Sequence, residues 1–209
     1  MVSKMTNTTI NSNQIQDNDD RKVILLMGMG LNGISAGGWI PPAETKIQVE
    51  EMIEDVWTLL ESVDTLIIGR VTFQLWEEYW PPRTKDPSSS EFQKKFSTFV
   101  NQIQKIVVST TLKSVNWQNS RVINENISNE IGRIKKLSGR NIAVVGGAGI
   151  AQTFTKLDLI DDYQLYLHPV IFRSGKSVLG FLDNERELEL IDIRKFLSGG
   201  IRLHLRPIK

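Results

Sequence analysis

The feature that most constrains the fold is an apolar run that ends in a cluster of glycines, Val144-Val145-Gly146-Gly147-Ala148-Gly149, and continues into a helix-like segment at 150–154. The apolar run predicts a buried strand. Three glycines within four residues allow the backbone to turn sharply and to approach a ligand closely. A helix that begins there points its free N–H groups and the positive end of its dipole at the turn. This geometry suits a phosphate or a pyrophosphate, so the sequence indicates nucleotide binding.

Composition excludes several classes of protein. The 209 residues carry 25 Lys and Arg against 24 Asp and Glu, so charge favours neither a nucleic-acid partner nor an anionic membrane. The absence of cysteine excludes disulfides, iron–sulfur clusters and a thiol nucleophile. His168 and His204 have no partners at metal-ligand spacing, so no metal site is predicted. The apolar runs are too short to span a bilayer and no signal peptide is recognisable, which leads us to expect a cytoplasmic protein.

The order of patterns along the chain predicts an α/β fold. Residues 1–20 are polar and predict a disordered leader, and 21–209 are expected to form a single domain. Strand-like runs at 23–27, 65–68, 106–109 and 142–145 alternate with helical patterns, and the chain after 159 is rich in strands (163–171, 187–196 and 201–206). We therefore predict three layers: a mixed, mostly parallel central sheet, antiparallel strands at its C-terminal end, and helices on both faces.

Two local features are also predicted. The five glycines between 28 and 38 indicate a loop after the first strand. Ser88 and Glu91 have the spacing of a capping box, which predicts that a helix begins there.

Four patterns together resemble one superfamily. They are the segments 25–36, 63–73 and 106–109, and 145–149 followed by 159–163 and 168–170. In this order they resemble the dihydrofolate-reductase-like superfamily, and most of all the C-terminal reductase domain of the bacterial riboflavin-biosynthesis deaminase-reductase and its stand-alone relatives. The resemblance implies an NADPH-dependent reductase that transfers a hydride to a small heterocycle, pterin-like or ribosylaminopyrimidine-like, or to a carbonyl compound. It also implies a homodimer.

The resemblance implies two elements that bind the cofactor's phosphates. Gly69, Arg70 and Thr72 match the family's G-R-x-T segment, in which the glycine permits close approach, the arginine offers several donors and the threonine supplies a hydroxyl at a helix start. Gly146, Gly147, Ala148 and Gly149 match the second element. Taken alone, the first segment could equally be a strand–helix turn with a solvated arginine, and the second a purely structural turn.

Ser109 lies at the end of the third strand, where the family places a serine, usually followed by arginine, at the 2′-phosphate of NADPH. Here Thr110 stands in the place of that arginine, which weakens the expected preference for NADPH over NADH; Lys113 is a candidate substitute. A plain strand end is the alternative interpretation of Ser109.

Asn32 stands where relatives often have an aspartate near the substrate. Asparagine cannot serve as a general base or acid, although its amide can bind a heterocyclic ring, so we predict substrate binding and assign no catalytic residue. The alternative is that Asn32 and Gly33 simply form a turn. Glu50 and Glu54 lie on the first helix, where a solvated acidic face is favoured over a catalytic role. Asn32 and Thr110 also motivate a second hypothesis, a nucleotide-binding or regulatory protein without turnover.

Overall fold

The computed structural model describes residues 21–35, 46–180, 182 and 184–208, with the side chains of 46–50 excepted. The predicted leader at 1–20 and part of the predicted loop at 28–38 lie outside these residues. The strands are β1 (Val23–Gly30), β2 (Ile34–Ser35), β3 (Val63–Gly69), β4 (Gln104–Val108), β5 (Ser120–Ile123), β6 (Asn141–Val145), β7 (Asp162–His168), β8 (Lys176–Ser177), β9 (Leu188–Lys195) and β10 (Ile201–Pro207). The helices are α1 (Lys46–Glu61), α2 (Arg70–Tyr79), α3 (Glu91–Gln102), α4 (Ile127–Lys135) and α5 (Ala148–Lys156).

The described strands form an eight-stranded sheet in the order β5-β4-β3-β6-β1-β7-β10-β9, with β2 and β8 paired separately. The pairs from β5 to β7 are parallel, whereas β10 runs antiparallel to both β7 and β9. This confirms the predicted mixed, mostly parallel sheet with antiparallel C-terminal strands. No helix of the described ranges is long and apolar enough to cross a membrane.

Helices cover both faces of the sheet because the central strands are apolar on both sides. In β1, Ile24 and Leu26 contact one core with α1, α2 and α3, whereas Leu25 and Met27 contact the other core with α4 and α5. Successive side chains of a strand point to opposite faces, so the continuous apolar run of β1 contributes to both cores.

Asp162, the buried first residue of β7, contacts residues near both ends of the described chain. Its Oδ1 accepts a 2.8 Å hydrogen bond from Nε of Arg206 near the end of β10 and lies 2.5 Å from Nε2 of His204. Its Oδ2 lies 3.8 Å from Nζ of Lys22, which precedes β1. One carboxylate thus links the start of β7 to β10 and to the residue that precedes β1.

Three local predictions were wrong in detail. The loop does not begin at Gly28, since β1 continues to Gly30 by pairing with β7. The last parallel strand ends at His168 rather than at 171, because Pro169 has no N–H to donate to a ladder. The capping box is formed by Ser90 and Gln93 rather than by Ser88 and Glu91.

Candidate functional site

The predicted site residues come together at one edge of the sheet. Because β4, β3, β6 and β1 are parallel neighbours, their carboxyl ends share that edge. Ser109 follows β4, the segment 69–72 follows β3, the segment 146–149 follows β6, and Asn32 follows β1. In open α/β sheets, ligands bind at the carboxyl ends of the parallel strands.

Two helices begin side by side at this edge without side-chain caps. Gly69 precedes α2 and Gly147 precedes α5, both with extended backbone, and neither helix receives a capping hydrogen bond from its N-cap side chain. A Cβ atom at Gly69 would lie 3.4 Å from Cβ of Ile150, which shows how closely α5 packs over β3. The N–H groups and dipole ends of both helices are therefore directed at the same region, as an anionic ligand requires.

The glycine turn after β6 closes against α2. Gly146 has φ +123°, which favours glycine, and a Cβ atom there would lie 2.9 Å from Oγ1 of Thr72. Thr72 and Gly146 thus come from the two predicted phosphate elements and form one cradle. Gly149, in the first turn of α5, has open space where a Cβ would stand. A narrow glycine turn between two uncapped helix N-termini fits the pyrophosphate of a dinucleotide.

Arg70 lies exposed at the first residue of α2. Its Nη1 donates a 2.9 Å hydrogen bond to Oε1 of Gln74 one helical turn later. This bond holds the guanidinium along the exposed side of α2. The contact of Arg70 with a cofactor phosphate stays a prediction.

Ser109 is buried at the end of β4, where it organises the turn that follows. Its Oγ accepts hydrogen bonds from the backbone N–H groups of Thr111 (3.2 Å) and Leu112 (3.0 Å). The hydroxyl is therefore already hydrogen-bonded within the local turn, as expected if Ser109 simply ends the strand. Thr110 and Lys113 are exposed beside it. A contact of Ser109 with the 2′-phosphate stays a prediction.

Asn32 occupies a tight turn and joins two loops. Gly33 N–H donates to the Gly30 carbonyl (2.9 Å), which confirms the turn. The Asn32 amide donates to the Phe172 carbonyl (2.9 Å), and its Oδ1 lies 3.4 Å from the Phe172 nitrogen that donates to it. Leu31 N–H adds a 2.8 Å bond to the Val170 carbonyl. The Asn32 side chain therefore holds the loop after β1 against the loop after β7, and its contact with a substrate stays a prediction.

Sequence reasoning missed a cavity of about 490 Å³ on the α1 side of this edge. It is lined by Glu51 of α1 and by Lys195, Phe196, Leu197 and Gly199 around the β9–β10 turn. Glu51 is therefore a candidate site residue that no sequence pattern singled out. The cavity is open to solvent rather than enclosed, and its volume is in the range of small-molecule sites. Glu51 is far in the sequence from the residues of the β9–β10 turn, so no local sequence pattern predicts that they line one cavity.

The geometry around the cavity places it beside the end of β7. A Cβ atom at Gly199 would lie 3.6 Å from Cγ of Pro169. Oε2 of Glu51 accepts a 2.9 Å hydrogen bond from the Leu197 N–H, which fixes the β9–β10 turn to α1. Burial lowers the pKa of His168 at the end of β7, so this imidazole is neutral near pH 7.

A buried ion network supports α1 on the sheet. Asp55 of α1 is 4% exposed at its side chain and accepts 2.7 Å and 2.6 Å hydrogen bonds from the Tyr166 hydroxyl and from Nη1 of Arg194. Nη1 of Arg202 lies 3.3 Å from Oδ2 of Asp55. Burial, and then the Asp55 carboxylate, raise the pKa of Tyr166, which keeps it a protonated donor. Among the described residues, no group of three or more His, Asp or Glu is arranged to hold a metal ion.

Comparison with known proteins agrees with this architecture. The chain is 30% identical over 183 residues to the uncharacterized protein YyaP of Bacillus subtilis, covering 88% of this chain and 93% of YyaP. Among solved structures, it is similar to a putative riboflavin biosynthesis protein from Shewanella sp. PV-4, with a TM-score of 0.64, 16% identity, and coverage of 90% of this chain and 99% of that one.

A second similar structure is the diaminohydroxyphosphoribosylaminopyrimidine deaminase/5-amino-6-(5-phosphoribosylamino)uracil reductase of Thermotoga maritima. The TM-score is 0.62 and the identity 14%, and the match covers 90% of this chain and 57% of that one. Both structural likenesses concern the fold. The model of the RibD C-terminal domain matches residues 21–201. The chain therefore belongs to the RibD C-terminal domain family, with the dihydrofolate-reductase-like fold that its sequence patterns predicted.

Proposed function

We propose that this protein is an NADPH-dependent reductase of a small heterocyclic substrate, pterin-like or ribosylaminopyrimidine-like, or of a small carbonyl compound. The observation that carries the proposal is the cradle between Gly146 and Thr72, where two helices without side-chain caps begin at adjacent strands. Membership of the RibD C-terminal domain family supports the assignment to the reductases.

The chain's own residues would bind and orient the cofactor. Backbone N–H groups at the starts of α2 and α5 would hold the pyrophosphate, with Arg70 adding charged donors from the side. Bound NADPH supplies the hydride, so the protein's contribution is orientation and the exclusion of water. Asn32 would position the substrate through its loop rather than transfer a proton.

The cavity near Glu51 and Lys195 is the candidate position of the substrate. Strands in a sheet lie about 4.8 Å apart, so the step from β6 across β1 to β7 is roughly 10 Å. That distance suits a dinucleotide that extends from its pyrophosphate on β6 toward the cavity beside β7. Lys195 and Glu51 would offer an anionic or polar substrate both a cation and an acceptor.

A titration of the purified protein with NADPH and, separately, with NADH tests the cofactor site. Quenching of tryptophan fluorescence and energy transfer to the nicotinamide report binding. Arg70→Ala is expected to weaken NADPH binding by about tenfold or more, equivalent to about 1.4 kcal/mol. Arg140→Ala removes an exposed arginine before β6, at the opposite edge of the sheet, and should leave the affinity unchanged. Absence of binding by either cofactor at near-millimolar concentration would refute the reductase proposal.

A second candidate is a nucleotide-binding or regulatory protein that does not turn over substrate. The observation that favours it concerns Asn32, whose amide is hydrogen-bonded to the Phe172 backbone and cannot act as a general acid or base. Oxidation of NADPH, followed at 340 nm with pyrimidine, pterin and carbonyl substrates, separates the two: NADPH binding without oxidation by any of these substrates would favour the second candidate.

A further inference from the structure

The segments 31–35 and 170–178, which follow β1 and β7, pair with each other and form a two-stranded arm at the carboxyl edge of the sheet. At one end of the arm, the Leu31 N–H donates a 2.8 Å hydrogen bond to the Val170 carbonyl, and toward the other end β2 pairs with β8. The two segments are closely packed, since a Cβ atom at Gly175 would stand 2.5 Å from the backbone of β2. The arm is therefore a continuous paired unit rather than two separate loops.

Asn32 joins the two segments of the arm through its side chain instead of its backbone. Its Nδ2 donates a 2.9 Å hydrogen bond to the Phe172 carbonyl, and its Oδ1 lies 3.4 Å from the Phe172 nitrogen that donates to it. A peptide group offers the same pair of one donor and one acceptor, so the amide takes the place that a strand's backbone would have. Gly30 permits the approach, because a Cβ atom there would stand 2.8 Å from Cδ2 of Phe172. An ionised carboxylate has no donor and could make only one of these two bonds.

The other end of the arm is fixed to α5. The Ser177 carbonyl accepts a 2.6 Å hydrogen bond from Nε2 of Gln152, in the second turn of α5. Val178, whose N–H donates to the Gly33 carbonyl (2.9 Å), is fully buried in the core that α5 covers. The arm thus connects Asn32 by successive contacts to the helix whose N-terminus forms half of the cradle.

We propose that Asn32 is a positioning residue: it closes the arm, and the closed arm holds the amino-terminal turns of α5 in place. This task requires a donor and an acceptor on one short side chain, which asparagine has and an ionised aspartate lacks. The consequence for the cofactor rests on the proposed function: the affinity for NADPH would depend on Asn32 through the arm and α5.

Hydrogen exchange of the full chain without cofactor, followed by mass spectrometry, tests the arm. Asn32→Ala is expected to speed exchange within 148–154 by about fivefold, the factor for one neutral hydrogen bond. Gln118→Ala is the matched control, since the Gln118 amide also donates to a backbone carbonyl, that of Asn101 (3.1 Å), in the turn before β5. Unchanged exchange within 148–154 in Asn32→Ala, or an equal increase in Gln118→Ala, would overturn the proposal. A parent chain that does not bind NADPH would refute the proposed function, and the exchange result would still decide the role of the arm.

Asn32→Asp gives a second measure, because a carboxyl group resembles the amide only when it is protonated. The protonated group can donate to the Phe172 carbonyl and accept from the Phe172 N–H, whereas the ionised group loses the donor. The folded state should therefore raise the pKa of the new carboxyl above its ordinary value of about 3.9. The stabilisation that this group contributes is complete at low pH and is lost as the pH rises through the raised value.

Thermal unfolding of Asn32→Asp beside the parent chain, at the same pH each time, measures this dependence. The melting temperature should lie about 2–4 °C below that of the parent at pH 8, and the deficit should narrow as the pH is lowered toward 4.5. Asn32→Ala should show a deficit that does not change with pH, because alanine has no group to protonate. A constant deficit in Asn32→Asp across this range would overturn the proposal.

Discussion

Gly146 lies so close to Thr72 that a Cβ atom at position 146 would stand 2.9 Å from the Thr72 hydroxyl oxygen, although 73 residues separate the two in the chain. The contact joins the turn after β6 to the first turn of α2. It depends on the absence of a side chain at Gly146 and on a φ of +123° that other residues rarely adopt.

We therefore expect Gly146→Ala to weaken NADPH binding by about tenfold or more, because the new methyl group would push Thr72 and the start of α2 out of place. Fluorescence titration measures the affinity, and urea unfolding shows the accompanying loss of stability. Gly132→Ala is the control, since a Cβ atom at Gly132 within α4 meets open space and alanine favours a helix by about 0.5–1 kcal/mol. Equal affinities of the two variants would contradict the cradle.

Lys105 should make the stability of the protein rise with pH above 8. Its buried ammonium donates to the carbonyls of Val100 (2.6 Å) and Ile103 (2.9 Å), and burial lowers its pKa to about 8. In the unfolded chain this pKa is near 10.4, so between these values the unfolded state binds more protons and the free energy of unfolding increases with pH.

Urea unfolding at intervals between pH 7.5 and 9.5 measures this rise, in a range that ends below the ordinary titration of tyrosine. Lys105→Met should remove it. Lys95→Met, at an exposed position of α3, should retain it. A pH dependence that is the same in all three chains would show that Lys105 is not its source.

Tyr166→Phe should destabilise the protein by about 1.5–3 kcal/mol, the range for a hydrogen bond to a charged group, because Asp55 loses one of its buried donors. Chemical unfolding measures the loss. Tyr79→Phe is the matched control: the Tyr79 hydroxyl accepts a 3.2 Å bond from Gln93 at a partly exposed position, so its removal should cost about 0.5 kcal/mol or less. Equal losses would show that the Asp55 network contributes little.

We propose that the protein is a homodimer that uses the C-terminal strands. On one face of the β9–β10 pair, Leu190 pairs with Leu205 and Ile193 pairs with Leu203, and Leu190 and Ile193 are 50% and 53% exposed. β9 is also an edge strand of the described sheet, where unpaired backbone groups and apolar side chains favour association.

Light scattering after size-exclusion chromatography should therefore give about twice the chain mass of 23.7 kDa. Ile193→Lys should shift the protein toward the monomer. Leu137→Lys is the control, because Leu137 is similarly exposed (50%) but follows α4. A monomeric parent chain, or an Ile193→Lys variant with an unchanged mass, would refute this interface.

The sheet could be predicted because its central strands are marked by continuous apolar runs. The runs at 23–27, 65–68, 106–109 and 142–145 each overlap a strand of the parallel region, with ends that differ by at most three residues. β5 was missed because Ser120–Ile123 is a short edge strand with only Ile123 buried. The capping box was misplaced because Ser88 bonds to Asp86 in the preceding turn, an interaction that its spacing to Glu91 does not reveal.

The candidate site could be predicted only in part, because its contacts join distant parts of the chain. Glycines after strands mark where a ligand can approach, which identified the segments at 69–72 and 146–149. The partners of those residues depend on distant parts of the chain: Asn32 bonds to Phe172, which is 140 residues away, and Glu51 to Leu197, 146 residues away. Such contacts arise from tertiary packing and leave no periodicity in the sequence.

The ion cluster at Asp162 has a practical consequence for handling the protein. Because it gathers Lys22 and Arg206 at the amino ends of the parallel strands, residues 21 and 208 both leave the sheet at the edge opposite the cradle. A tether attached directly at residue 21 or at residue 208 would therefore hold the molecule with its glycine turn facing away from the point of attachment.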